Sequence, residues 1–138
     1  MSVVIGILMA IHGIITLAIG GVAVGGAPTP PEMNRLPGAG WYPVPLGDSW
    51  LLHGTAARVG GVLWLMAGLG LLATAASMFG VGVPTSAWRA IGLISASTGL
   101  AALVVFFHPY YAIAIIVDVA IIAAATSLEA TSRNALGI

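Results

Sequence analysis

The chain has no cysteine, and its only basic residues are arginines: four Lys+Arg and four Asp+Glu in 138 residues, a charged fraction of 6%. Each shortage excludes something. Without cysteine there is no disulfide, no thiolate nucleophile and no zinc–thiolate site. A formal net charge of zero leaves no basic footprint for nucleic acid. A soluble domain is about one-quarter charged, so this chain lacks the residues to coat a water-facing surface. Nucleophile elbows, phosphate-binding Walker loops and dinucleotide fingerprints are missing as well. No catalytic residue is expected, and the balance is against an enzyme.

What is present is apolar, with hydrophobic residues making up 59% of the sequence. They fall into four runs, at about residues 3–25, 49–79, 86–107 and 110–128. Each approaches or exceeds the roughly 20 residues a helix needs to cross a bilayer. The first run could be mistaken for a secretion signal. It lacks a basic start, carries His12 midway and is too long for a signal core, so it is expected to stay as a span. Between the first two runs lies a Pro/Gly-rich stretch, about 26–47, that cannot be helical. Asp48 and Ser86 stand where N-caps of the second and third helices would be. Pro109, after His108, ends the third.

Lipid satisfies no backbone polar groups, so the spans must be helices or strands of a closed barrel. Barrel strands alternate apolar and polar residues, and these runs do not. The expected fold is all-α: one domain over residues 1–138, an integral membrane antiparallel four-helix bundle. Trp41, Tyr42, Trp50, Tyr110 and Tyr111 gather at one expected interface and Trp88 at the other. Four spans put both termini and the second loop on one side. That side has Arg89 and Arg133 against Arg35 in the first loop. The positive-inside bias therefore favours cytoplasmic termini in a prokaryotic inner membrane.

Every run carries a stripe of small residues suited to close helix packing. The first has His12, Thr16 and Gly20, with Gly21 and Gly25 at GxxxG spacing; the second has Gly54, Gly61 and Gly68 around Arg58. The third has Gly92, Ser95, Gly99 and Ala102, and the fourth Ala114, Asp118 and Ala125. Counted from the expected outer helix ends, Arg58 lies roughly 15 Å in and Asp118 roughly 12 Å. The shared depth predicts an Arg58–Asp118 pair, because a charge inside a membrane pairs or lines a wet cavity. Such a pair either pins helix register or works, holding a polar headgroup or relaying protons. In the third alternative, Arg58 snorkels outward and leaves Asp118 alone. His12 either joins this cluster or bonds a neutral neighbour such as Thr16 or Ser95. His53 and His108 fall near the outer face. With Asp48 or Glu32 they would be ligands for a metal, or by themselves for a bis-histidine haem, but no HxxxH spacing supports either. No cofactor is expected, with haem and quinone as the alternatives to that.

"IHGII" in the first run, "ARVGGVLWLMAGLG" in the second and "HPYYAIAIIVDVAII" in the fourth resemble small bacterial four-span membrane proteins, DoxX-like in size and layout. The resemblance implies a polar interior of His12, Arg58 and Asp118. It also implies an association with membrane sulfur-redox and quinone-linked complexes. The lack of cysteine stands against thiol chemistry.

These readings lead to three expectations. The most economical is a non-catalytic accessory or scaffold subunit, its partners the lipid bilayer, other membrane subunits or copies of itself. The alternative is intramembrane binding or transport of a lipophilic ligand, a quinone or lipid, at the Arg/Asp/His cluster. The third is a membrane redox subunit.

Overall fold

Helix-favouring apolar runs punctuated by glycine and proline give an all-helical chain. A computed structural model describes residues 2–25, 54–105 and 111–127, and no strand occurs among them. The elements are α1 (Ser2–Gly25), α2 (Gly54–Phe79), a 3-10 turn (Thr85–Ala87), α3 (Trp88–Val105) and α4 (Ala112–Ser127). α1, α2 and the stretch from the turn through α3 are long and apolar enough to cross a membrane; the apolar part of α4, Ala112–Thr126, is shorter.

The turn between α2 and α3 is built from two glycines. Gly80 and Gly82 have φ of 66° and 67°, a left-handed conformation that glycine adopts without a Cβ clash. Gly80 N–H donates to Ser77 O (3.1 Å) and Val81 N–H to Ala76 O (2.9 Å). These are the paired bonds that close a helix C-terminus on glycine. Ser86 does not cap the next helix as its position suggests. It lies inside the 3-10 turn, which starts from Pro84 with no side-chain cap. Proline holds φ at −56° there, and its carbonyl accepts from Ala87 N–H (3.0 Å) and from the Ser77 hydroxyl.

Glycine also sets how α1 meets α2. A Cβ on Gly20 would stand 2.9 Å from Gly61 O, and one on Gly61 2.9 Å from Gly20 O. Gly13 and Gly68 make the same reciprocal contact, at 3.1 and 2.9 Å. As the α1 position rises from Gly6 through Gly13 to Gly20, its α2 neighbour falls from Phe79 through Gly68 to Gly61. Backbones this close exclude any side chain between them, which maximises dispersion contact. By contrast Gly21 and Gly25, the GxxxG pair, have none of the described residues within 4 Å.

α2 packs on both α1 and α3, and α3 packs on α4. One core cluster gathers Met9, Leu71, Ala75, Met78, Trp88, Ala96 and Ile121. A second joins Ala23, Trp64, Ala102, Leu103 and Tyr111. Two aromatics expected at the interfaces therefore turn inward: Trp88 is 6% exposed and Tyr111 3%. Each lies near a helix end, where neighbouring helices offer the ring an apolar surface. The third-helix stripe faces its neighbours as its composition suggests, with Gly92 toward Thr74 and Ile121, and Gly99 toward Ala67 and Asp118.

Candidate functional site

Asp118 is the side chain that most needs a reason. It is 2% exposed, on a helix whose mean composition is strongly apolar. A carboxylate removed from water costs several kcal/mol unless it is partnered. Its partner is His12, near the middle of α1: the ring Nε2 lies 3.1 Å from Asp118 Oδ1. With Nε2 carrying the proton, imidazole donates and the carboxylate accepts. His12 is itself mostly buried, at 13%. One turn on, the Thr16 hydroxyl donates to His12 O at 2.8 Å, fixing the local helix edge.

Arg58 is not in this cluster. It is exposed and makes no hydrogen bond or ion pair with the described residues. The reason is depth. The Asp118 carboxylate lies over Gly99, and across the same glycine stands Ala67. Ala67 is about nine residues, roughly 14 Å, along α2 from Arg58. Arg58 instead opens the apolar part of α2, Arg58–Phe79, and is exposed there. Of the three residues expected to meet, the structure brings together His12 and Asp118. Ser95, weighed as a partner for His12, donates instead to Ile91 O at 2.7 Å within its own helix.

The second carboxylate oxygen is different. Oδ2 accepts no hydrogen bond from the described residues. A Cβ added to Gly99 would stand 2.8 Å from it, so only glycine leaves this oxygen open. It borders a cavity of about 40 Å³ to which His12, Thr16, Trp64, Gly99, Tyr111 and Asp118 all contribute, the remaining walls being aliphatic. Trp64 and Tyr111 meet there, ring centroids 5.7 Å apart and tilted by 57°. These aromatics were not legible as site residues. Trp64 sits in an uninterrupted apolar run, and Tyr111 looked like part of an interfacial belt.

Arg89 has a role that sequence reading reduced to charge placement. Its Nε and Nη2 both donate to Ala125 O, at 3.1 and 2.7 Å. A guanidinium there satisfies a carbonyl near the C-terminal end of α4 and meets the negative end of the helix dipole.

His53 and His108, with Asp48 and Glu32, lie outside the described residues. Among the described residues no group of three or more His, Cys, Asp or Glu side chains is placed to hold a metal. Comparison with family models, with characterised proteins and with solved structures gives no match to this chain.

Proposed function

We propose that this is a small multi-pass membrane protein, an antiparallel four-helix bundle that binds or carries a lipophilic ligand whose polar end rests on the His12–Asp118 pair. Two features support the membrane setting. Three stretches have the length and apolarity of spans. The outward faces are also greasy: Ile14 is 59% exposed, Met66 61%, Ile94 67% and Ile113 76%. Soluble proteins do not leave apolar surface of that extent in water. The descending order of the glycine contacts supports the antiparallel arrangement. The arginine distribution supports cytoplasmic termini in a prokaryotic inner membrane.

The single observation behind the binding role is the open Oδ2 of a nearly inaccessible carboxylate, bordering a cavity. A pair that only pinned register would be better packed shut, since an unfilled acceptor in an apolar interior is costly. About 40 Å³ holds roughly two or three water-sized groups. That favours the narrow polar end of a lipid-like molecule over an enclosed quinone ring.

The test is extraction of the parent and of Asp118→Asn from native membranes in mild detergent, followed by mass spectrometry of small molecules. The parent should retain a lipophilic compound that the equally folded variant has lost. Identical small-molecule content in the two would end the proposal.

A second reading, a non-catalytic accessory or scaffold subunit, rests on Gly21 and Gly25. They leave a small-residue surface on α1 with none of the described residues within 4 Å, a shape that accepts a helix of another subunit or copy. Loss of a co-purifying polypeptide from Gly21→Leu, with the small molecule retained, would favour it.

A further inference from the structure

Resting on the binding role just proposed, we infer that the polar end of the ligand is an ammonium group, on a small lipophilic amine. The inference comes from what the cavity offers and what it lacks. Among the polar groups it offers is a carboxylate oxygen, Asp118 Oδ2, which only accepts when ionised. Among the described residues neither Arg nor Lys lines the cavity. A carboxylate or phosphate ligand would therefore meet like charge.

The walls point to the same class. Trp64 and Tyr111 lie against each other and both line the cavity. Aromatic faces beside a carboxylate attract a desolvated cation through the ring quadrupole, and the effect grows away from water. Ile15, Ile19, Leu103 and Ala114 complete a lining suited to the methylenes that follow a primary amine. The volume admits the ammonium and its first carbons. A bound ammonium would also complete the electrostatics: it gives Oδ2 a charge-assisted hydrogen bond where the described residues supply none.

Two sources share this chemistry, a freely diffusing single-chain amine and an aminolipid headgroup. The experiment uses radiolabelled octylammonium, octanol and octanoate, three heads on one tail, in equilibrium dialysis against nanodiscs. Discs contain the parent, Asp118→Asn, Gly99→Ala or no protein, in phosphatidylglycerol alone. Gly99→Ala keeps the charge but puts a methyl 2.8 Å from Oδ2, so it decides the matter if Asp118→Asn fails to fold by circular dichroism. The expected result is saturable octylammonium binding above the empty discs, weakened at least roughly tenfold by each folded variant, with no saturable octanol or octanoate binding. Repeating the parent measurement with phosphatidylethanolamine discs separates the sources: competition assigns the headgroup, and its absence assigns the free amine. Octanol or octanoate binding that depends on Asp118, without octylammonium, would overturn the ammonium assignment and keep the binding role. No saturable binding of any of the three would overturn both. Octylammonium binding unchanged in both variants would move the site elsewhere and refute the assignment.

Discussion

His12 Nε2 and Asp118 Oδ1 are 3.1 Å apart although 106 residues separate them in sequence, so a single hydrogen bond ties the first helix to the last. Removing either partner has unequal consequences. His12→Leu strands a buried carboxylate, at a cost of about 3–5 kcal/mol. Asp118→Leu strands an imidazole, which has no obligatory charge, at about 1–3 kcal/mol. The double Leu variant removes both polar groups and should recover much of the loss. Thermal unfolding followed by circular dichroism in one detergent should rank the variants in that order. Two single variants as stable as the parent would mean that the bond does not form.

Arg58 gives the contrasting expectation. It is exposed and unpaired among the described residues, so Arg58→Gln should change stability by no more than about 0.5 kcal/mol. A loss comparable to that of His12→Leu would place Arg58 in the buried cluster after all.

Adjacent glycines in α1 should behave in opposite ways. Gly20 faces Gly61 at backbone distance, while Gly21 has none of the described residues within 4 Å. Gly20→Leu must push α1 off α2, costing at least about 1–3 kcal/mol by overpacking. Gly21→Leu should leave the melting temperature close to the parent's, because leucine is the better helix former. Equal sensitivity at the two positions would contradict the packing described. The reciprocal contacts repeat every seven residues on both helices. A slip of one heptad would again set glycine against glycine, with Gly13 opposite Gly61. Glycine packing alone therefore leaves the alignment of α1 and α2 degenerate, and His12–Asp118 contributes to choosing among the alternatives.

Arg89→Ala should loosen the end of α4. The two bonds to Ala125 O are lost together, and a charge at a helix C-terminus contributes about 0.3–1 kcal/mol, up to about 2 when partly buried. Arg89→Lys should recover part of this, because an ammonium keeps the charge without the fork. Hydrogen exchange in the last turns of α4 should rise in the order parent, Lys, Ala. Unchanged exchange in Arg89→Ala would remove the cap.

Topology can be checked directly because no native cysteine interferes. An impermeant maleimide should label a cysteine at Asn34 in intact cells and not one at Asn134. The opposite pattern would invert the proposed orientation.

The number and approximate places of the described helices were legible in the sequence. Long apolar runs have few structural solutions, and Gly80, Gly82 and Pro84 break them visibly. His12 and Asp118 were legible as interior residues because each is a rare polar group on a small-residue stripe. The partner of Asp118 was not. The depth of Arg58 was counted from Asp48, outside the described residues, and the level of Asp118 lies about nine residues, roughly 14 Å, farther along α2. Arg58 matched on that scale, while His12, read as lying deeper, was the true neighbour. Trp64, Tyr111 and the Arg89 cap were illegible for another reason. Their roles exist only once α4 lies beside α3, and nothing local to those residues distinguishes a belt or core aromatic from a cavity wall.

The bond between α1 and α4 also bears on how the chain is made. A chain emerging from the ribosome presents His12 long before Asp118 exists. Through most of synthesis the imidazole must be accommodated by other groups, by water or by whatever machinery holds the nascent helix. A product truncated before α4 never acquires that mate for its imidazole, which distinguishes molecules lacking α4 from those that have it. Arrival of α4 is thus recorded chemically, at one histidine nitrogen.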